Sequence, residues 1–232
     1  MYLSEIWRYP VKSMAGERLD RASVGPLGLH GDRVVQVYDG RGRLVTARTY
    51  PKLLGLHATL GADGEPLVGG RPWRSPDVQA RVEAIVGPGA RLVRNESEAR
   101  FDILPLLVAT DGAVAAFGRD ARRLRPNLII GGVDGLDERG WEGRVLRIGS
   151  ALIALADLRG RCVMTTFDPD TLEQDPRVLK DILRRFDGRL ALNADVIQGG
   201  ELHVKATVDL LAGAAAGVEG SPREARPGDT VN

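Results

Sequence analysis

Short β-branched and aromatic segments, separated by glycine-containing turns, run through the first hundred residues of the chain. The segment "RVVQVYD" at 33–39 leads through "DGRG" into "RLVTA", which is the pattern of a β-hairpin. With 29 glycines and 13 prolines the chain has many points at which a strand must turn or end. Many short strands of this kind predict a barrel or sandwich rather than a doubly wound sheet. The expected class is therefore mainly β with a few helices (α+β).

Three segments depart from the strand pattern and predict helices. The first begins at Ser75 as N-cap with Pro76 at the first helical position. The second has Thr110 or Asp111 as its cap and an alanine-rich body. The third repeats the cap-and-proline device at 175–176.

The third predicted helix is amphipathic. Its charged residues, which include three arginines and a lysine, lie mostly opposite the apolar ones, which is typical of a solvated helix face. The apolar stripe is predicted to consist of Val178, Leu179, Ile182, Leu183 and Phe186.

Further strand-like segments follow residue 125, and the last of them ends near residue 210. A boundary near residue 100 divides the chain into predicted regions 1–100 and 101–210. The remaining residues, 211–232, are rich in alanine, glycine and proline and are expected to form a flexible tail.

Composition excludes several classes of protein. The formal net charge is +1, so no global charge favours nucleic acid or an anionic membrane surface. No apolar run approaches the roughly 20 residues of a membrane helix, and the first residues lack the apolar core of a signal peptide. One cysteine allows no intrachain disulfide. These features predict a cytoplasmic protein that binds neither nucleic acid nor membrane.

The single cysteine, Cys162, lies in "LRGRCVMTTFDPDT" between two arginines and an acidic turn. Neighbouring cations stabilise a thiolate, the form that attacks electrophiles and binds metals. A buried and inert cysteine is the alternative. From these residues alone, a nucleophile, a metal ligand and a packing residue all remain open.

Basic and polar residues recur where predicted loops meet predicted strands. Glycine lets a backbone approach a phosphate, and arginine offers two parallel donors to an anion. No phosphate-binding P-loop or G-x-G-x-x-G motif accompanies these residues. The pairs predicted to converge on an anion are Lys12 and Ser13, Asp32 and Arg33, and Arg125 and Asn127.

Two other kinds of site are rejected. The segment "DPDT" at 168–171 superficially matches the two-aspartate motif of phosphate-transferring hydrolases, but Leu172 stands where that motif needs threonine, so an Asx turn is expected. The three histidines, His30, His57 and His203, lack the paired spacing of a zinc site.

Five short motifs together resemble the MOSC family, named for the C-terminal domain of molybdenum cofactor sulfurases. They occur in family order over about residues 1–210: "YPVKS" at 9–13, "GDR" at 31–33, "VTAR" at 45–48, "RPN" at 125–127 and "RCVMTTFDPDT" from 161. The chain is most similar to the subgroup that includes the amidoxime-reducing components and their bacterial relatives. The resemblance implies a MOSC-type β-barrel fold, with an N-terminal MOSC β-barrel-like subdomain at 1–100 and a MOSC domain at 101–210.

The resemblance also implies a function. It predicts an oxidoreductase with a molybdenum–pterin cofactor (molybdenum cofactor), Cys162 as the metal ligand, and small N-hydroxylated substrates. Because no cysteine-rich ferredoxin segment is present, a reductase of this kind would need a separate electron-donor protein. The family often has a cysteine where this chain has Met14. The residues implied to hold the cofactor are Lys12, Ser13, Arg33, Thr46, Arg48, Arg125, Asn127 and Arg161.

The alternative function belongs to another class of protein. A sulfur carrier or cofactor-handling protein would hold a persulfide on Cys162, since stabilised anionic sulfur needs the same cationic surroundings.

Overall fold

The structure, a computed structural model, describes residues 1–213 and consists mainly of strands with a few helices, as predicted. The predicted tail at 211–232 therefore lies outside the described residues, apart from its first three positions. The strands within the described range are β1 Tyr2–Arg8, β2 Glu17–Leu19, β3 Arg21–Gly25, β4 Gly28–Leu29, β5 Val35–Tyr38, β6 Leu44–Val45, β7 Ala58–Leu60, β8 Pro66–Val68, β9 Arg71–Pro72, β10 Arg91–Arg94, β11 Leu106–Thr110, β12 Leu128–Gly131, β13 Val145–Ile148, β14 Ala151–Gly160, β15 Arg189–Gln198, β16 Gly200–His203 and β17 Val208–Leu211.

Helices are short and few in this part of the chain. The α-helices are α1 Pro76–Val86, α2 Asp111–Phe117 and α3 Pro176–Phe186. Short 3₁₀ helices cover Pro51–Gly55, Glu98–Arg100, Ala121–Arg123, Asp137–Gly140 and Val163–Thr166. Within residues 1–213, no helix has the length and apolar character needed to cross a membrane.

The largest sheet has eight strands in the order β17-β13-β14-β15-β11-β12-β1-β2. Its strand pairs are antiparallel except for β11 and β12, which run parallel. A parallel neighbour requires a crossover connection, and α2 supplies it here. Three smaller sheets are ordered β10-β5-β6, β16-β3-β4 and β7-β8-β9.

The hairpin predicted from the glycine-rich turn is confirmed. Strands β5 and β6 pair antiparallel, with Val37 opposite Val45. The Asp39 carboxylate accepts hydrogen bonds from the backbone amides of Arg41 and Arg43, both at 2.9 Å, which closes the turn. The prediction of strands throughout the first hundred residues was wrong just beyond this hairpin, because Pro51 begins a 3₁₀ helix that runs to Gly55.

All three predicted helices form with their expected caps. Ser75 Oγ accepts from the Val78 amide, and Thr110 Oγ1, rather than Asp111, accepts from the Ala113 amide at 3.1 Å. Asp175 caps α3.

The amphipathic pattern of α3 is confirmed with one correction. Val178, Ile182 and Phe186 are buried, whereas the basic residues of the helix face solvent. Leu183, predicted to belong to the stripe, is 58% exposed. At about 100° per residue it falls at the margin of the helix face that Val178, Ile182 and Phe186 bury.

Two of the four apolar clusters in the described part of the chain contain most of the buried apolar residues. One packs on the eight-stranded sheet and joins the beginning of the chain to its later part, for example Leu3 and Ile6 with Leu128 and Ile130. The other consists of residues between 11 and 90. Because β1 pairs with β12 and β3 with β16, the loops after β1 lie beside those that lead into β12.

Candidate functional site

A pocket of about 490 Å³ opens where these loops meet, and we call it the thiol pocket because it contains Cys162. Its lining comes from the loops after β1, from the segment before β11 and from the end of β14. All nine residues that the resemblance implies for the cofactor and the metal line it: Lys12, Ser13, Arg33, Thr46, Arg48, Arg125, Asn127, Arg161 and Cys162. Asp32, which was predicted beside Arg33, is fully buried and does not line the pocket. Residues 150 positions apart in the sequence thus share one surface.

Cys162 lies just beyond the long strand β14 and caps the 3₁₀ helix Val163–Thr166. Its carbonyl accepts hydrogen bonds from the Thr165 amide at 3.0 Å and from Thr165 Oγ1 at 2.8 Å. The thiol itself is free and half-buried. The backbone is therefore fixed while the sulfur remains available in the pocket.

Three of the lining residues adopt a left-handed backbone that side chains with a Cβ rarely tolerate. The φ angles of Ser13, Arg33 and Arg125 are 70°, 55° and 56°. Such conformations cost energy and tend to be kept where the surrounding structure and the function require them. Here all three positions are loop residues that line the pocket.

A buried polar network joins the two loops that carry Arg33 and Asn127. The Asp32 carboxylate accepts from the Tyr9 amide at 2.7 Å and from Asn127 Nδ2 at 3.2 Å, and it forms an ion pair with Arg33. Asn127 Oδ1 accepts from the Leu107 amide at 3.1 Å. Asn127 is fully buried, and both its Oδ1 and its Nδ2 are hydrogen-bonded to protein groups. Its geometry therefore suits a role in positioning the two loops.

Asp102 is a residue that the sequence did not single out. Its carboxylate lies 2.7 Å from Lys12 Nζ, 3.0 Å from Arg48 Nη2 and 3.4 Å from Arg159 Nη2. Burial alone would raise the pKa of Asp102, but the Lys12 ammonium and the two guanidinium groups outweigh it and lower the pKa to about 2. Burial also lowers the pKa of Lys12.

Among residues 1–213, two half-buried arginines of the pocket, Arg125 and Arg161, have no carboxylate as an ion-pair partner. Burial lowers the pKa of both Arg125 and Arg161 to about 10. Arg161 donates from Nη2 to the Leu124 carbonyl at 2.6 Å, but its buried Nε has no hydrogen-bond partner. The Arg125 guanidinium packs over the Tyr9 ring at 4.2 Å from its centre. A buried donor without an acceptor is costly, so these groups suit an anion from outside the chain.

The charge of the lining is strongly unbalanced. Asp102 is the acidic residue among the lining residues, and in the described part of the chain no three His, Cys, Asp or Glu side chains are grouped so that they could hold a metal ion. The basic lining residues are Lys12, Arg33, Arg48, Arg123, Arg125, Arg159 and Arg161. The pocket can therefore bind a compound with several negative charges beside a free thiol.

The acidic turn after Cys162 holds the loop in place. The predicted Asx turn is confirmed, since Asp168 Oδ1 accepts from the backbone amides of Asp170 and Thr171, both at 3.0 Å. Asp168 Oδ2 also accepts from Arg123 at 2.8 Å, and Asp170 binds Arg122. These contacts tie the Cys162 loop to the 3₁₀ helix before β12.

Some lining residues could not have been found from motifs. Asp102 lies in the segment "ARFDILP", which matches none of the five motifs, and Asn193 lies inside strand β15. Asn193 binds Arg159 at 3.2 Å and Asp157 at 3.1 Å. Their contribution depends on contacts between distant segments, for which the sequence carries no local signal.

Comparisons with known proteins agree with the motif-based resemblance. Family models match the chain twice: "MOSC N-terminal beta barrel domain" at residues 1–89 and "MOSC domain" at residues 111–209. Mitochondrial amidoxime reducing component 2 of Macaca fascicularis is 26% identical over an alignment of 242 positions, gaps included. The alignment covers 79% of this chain and 72% of that protein. Mitochondrial amidoxime-reducing component 1 of Homo sapiens is 26% identical over 227 residues, with 73% and 67% covered.

A solved structure supports the fold. The YUAD protein from Bacillus subtilis superposes with a TM-score of 0.51 at 12% sequence identity. The match covers 91% of this chain and 95% of that one. At this identity the likeness concerns the fold alone.

Proposed function

Because the chain belongs to the MOSC domain family, we propose that its thiol pocket binds a molybdenum–pterin cofactor and that the protein is an oxidoreductase. The proposed substrates are small N-hydroxylated compounds such as amidoximes, in keeping with the names of its relatives. The observation that carries the proposal is the free Cys162 thiol in a pocket with seven basic residues and one acidic residue.

The residues of the pocket fit such a cofactor. A thiolate is a soft ligand of the kind that redox-active metals accept, and a single thiol requires a cofactor that brings further ligands of its own. Arg161, whose buried Nε lacks an acceptor, is suited to the phosphate of the pterin. When bound, the cofactor would supply the two-electron redox chemistry.

The remaining lining residues support this arrangement in distinct ways. Ser13 Oγ accepts from the Ala47 amide at 3.0 Å, which joins the loop of Lys12 to that of Arg48. Asp102 holds the side chains of Lys12 and Arg48 at its two carboxylate oxygens. Arg33 and Asn127 share the buried Asp32 carboxylate. These contacts orient the basic groups before any ligand arrives, which reduces the entropy lost on binding.

Proton supply is the other requirement of the reaction. Reducing an N–OH group to N–H takes up two electrons and two protons and releases water. Lys12 Nζ, bound to Asp102 at 2.7 Å and to the Arg100 carbonyl at 2.9 Å, is a protonated group in the pocket whose pKa burial lowers. We assign it as the proton donor to the departing oxygen. The electrons would come from a separate donor protein.

Reductase activity tests the proposal directly. Protein made in a host that synthesises the cofactor is assayed with benzamidoxime and a chemically reduced viologen dye as electron source. Cys162→Ser is expected to abolish turnover while the unfolding midpoint stays close to that of the unmodified protein. Arg177→Ala, a change on the exposed face of α3, is the matched control and should leave activity unchanged.

Two outcomes would contradict the proposal. One is full activity of the Cys162→Ser variant with molybdenum still bound. The other is a protein without metal that carries an additional sulfur atom on Cys162 by mass spectrometry, which would instead support a sulfur carrier.

A further inference from the structure

A second cavity, of about 410 Å³, adjoins the thiol pocket, and we call it the aromatic cavity. The two share Arg123, Arg125 and Met164, which form the partition between them. Cys162 is not among the residues that line the aromatic cavity. A volume of this size suits a small organic ligand, and the functions proposed above make no use of it.

The walls of the aromatic cavity are largely apolar and include three aromatic side chains. Trp7, Tyr9 and Phe167 line it together with Leu54 and Pro169. The polar tips of two rings already have partners, since Trp7 Nε1 donates to Glu5 Oε2 at 2.6 Å and the Tyr9 hydroxyl donates to the Pro126 carbonyl at 3.1 Å. What the rings present to the cavity is therefore carbon surface, which favours a planar aromatic ligand.

Most of the charges around the cavity are paired within the protein. Arg122 binds Asp120 at 2.6 Å and Asp170 at 2.7 Å, and Arg123 binds Asp168 at 2.8 Å. The exposed Arg18, the remaining basic lining residue besides Arg125, lies 3.9 Å from Glu5.

Two polar side chains of the lining are different. Among residues 1–213, neither the Arg125 guanidinium nor the His57 imidazole has a side-chain hydrogen bond or ion pair, although Arg125 stacks on Tyr9. Once the paired charges are set aside, a single cationic group, Arg125, is left without a counter-ion. A ligand that satisfies it would carry one negative charge or a strong acceptor.

We propose that the aromatic cavity is a separate binding site for a planar aromatic carboxylate. The ring system would pack between Trp7 and Phe167, and the carboxylate would accept hydrogen bonds from Arg125 and from His57. Since Arg125 also lines the thiol pocket, occupancy of one cavity would be sensed in the other through this shared side chain.

Fluorescence gives a direct test with 2-naphthoate as the probe. The chain has three tryptophans, of which Trp73 and Trp141 are buried and Trp7 is half-buried at the cavity. We expect saturable quenching of tryptophan emission by 2-naphthoate, and loss of that signal in Trp7→Phe. By calorimetry the neutral 2-naphthamide should bind about tenfold more weakly, because it lacks the charge that pairs with a guanidinium.

Variants identify the cavity that is occupied. His57 lines the aromatic cavity and not the thiol pocket, so His57→Ala should weaken 2-naphthoate binding about fivefold or more. Arg48 lines the thiol pocket and not the aromatic cavity, so Arg48→Ala should leave the affinity for 2-naphthoate unchanged. Thermal midpoints verify that both variants are folded, and Leu54→Met, a volume-conserving change of the same wall, should bind nearly as tightly as the unmodified chain.

The proposal is overturned by linear quenching without saturation, by equal binding of the neutral amide, or by a loss of affinity in Arg48→Ala without one in His57→Ala. The last result would place the anion in the thiol pocket and would support the phosphate role of that pocket instead.

Discussion

At the scale of single residues, the thiol pocket combines strained backbone with desolvated charge. Arg125 shows both features, with a φ of 56° and a guanidinium whose pKa burial lowers to about 10. Neither feature stabilises the fold by itself, and proteins commonly accept such costs at functional sites. Ser13 and Arg33 share the left-handed backbone at the same pocket.

The backbone strain at Arg125 can be measured with a pair of substitutions. Arg125→Gly should be more stable than Arg125→Ala by about 1 kcal/mol, because only glycine adopts a positive φ without a Cβ clash. Urea denaturation gives the two free energies of unfolding. The reference pair is Arg123→Gly and Arg123→Ala in the 3₁₀ helix Ala121–Arg123, where the order should be reversed. Equal stability of the two Arg125 variants would show that the backbone there is unstrained.

Asp102 makes a testable contribution to the pH dependence of stability. Its pKa falls from an ordinary value of 3.8 to about 2 on folding, so its stabilising effect is complete above about pH 4 and is lost as the pH falls through 2. Asp102→Asn removes the titrating group. The difference in unfolding midpoint between the unmodified protein and this variant should be constant from pH 5 to 7, within the range where Asp102 is ionised, and should shrink below pH 4. A difference that grows on acidification would contradict the assignment.

At the scale of elements, the sequence predicted what local chemistry decides. The caps of α1, α2 and α3 and the β5–β6 hairpin were all visible as short motifs, because each depends on residues within a few positions. The 3₁₀ helix at Pro51–Gly55 and the exposure of Leu183 were missed, since both depend on what packs against the segment. The position of Asp102 beside Lys12 could not be predicted from the sequence for the same reason.

The loop that follows Cys162 is an element whose order depends on one carboxylate. In Asp168→Ala the amides of Asp170 and Thr171 lose their acceptor, and Arg123 loses its counter-ion. We expect hydrogen exchange of the Thr171 amide to become about tenfold faster, with little change in the strands. Asp181→Ala on α3 removes a comparable carboxylate, which binds Arg184 at 3.1 Å, and should leave the exchange of Thr171 unaltered. Unchanged exchange in Asp168→Ala would mean that the turn is held by other contacts.

At the scale of the whole molecule, the site exists only because distant segments meet. Lys12 and Arg48 lie within the part matched by the N-terminal family model, and Arg125 and Cys162 lie within the part matched by the MOSC domain. Asp102, between the two matched regions, bridges them through Lys12, Arg48 and Arg159. The motifs identified nine of the residues that line the pocket, and the pairing of β1 with β12 explains how the loops that carry several of them come together.

The central claim is that Cys162 and the basic residues hold a molybdenum–pterin cofactor. The molybdenum and pterin content of the purified protein tests it most directly. Protein from a cofactor-synthesising host is analysed for molybdenum by elemental analysis and for pterin by fluorescence, beside Cys162→Ala and the control Arg177→Ala. We predict near-stoichiometric molybdenum and pterin in the unmodified protein and in the control, and a large loss of molybdenum in Cys162→Ala. Absence of both from the unmodified protein, or an undiminished metal content in Cys162→Ala, would contradict the claim.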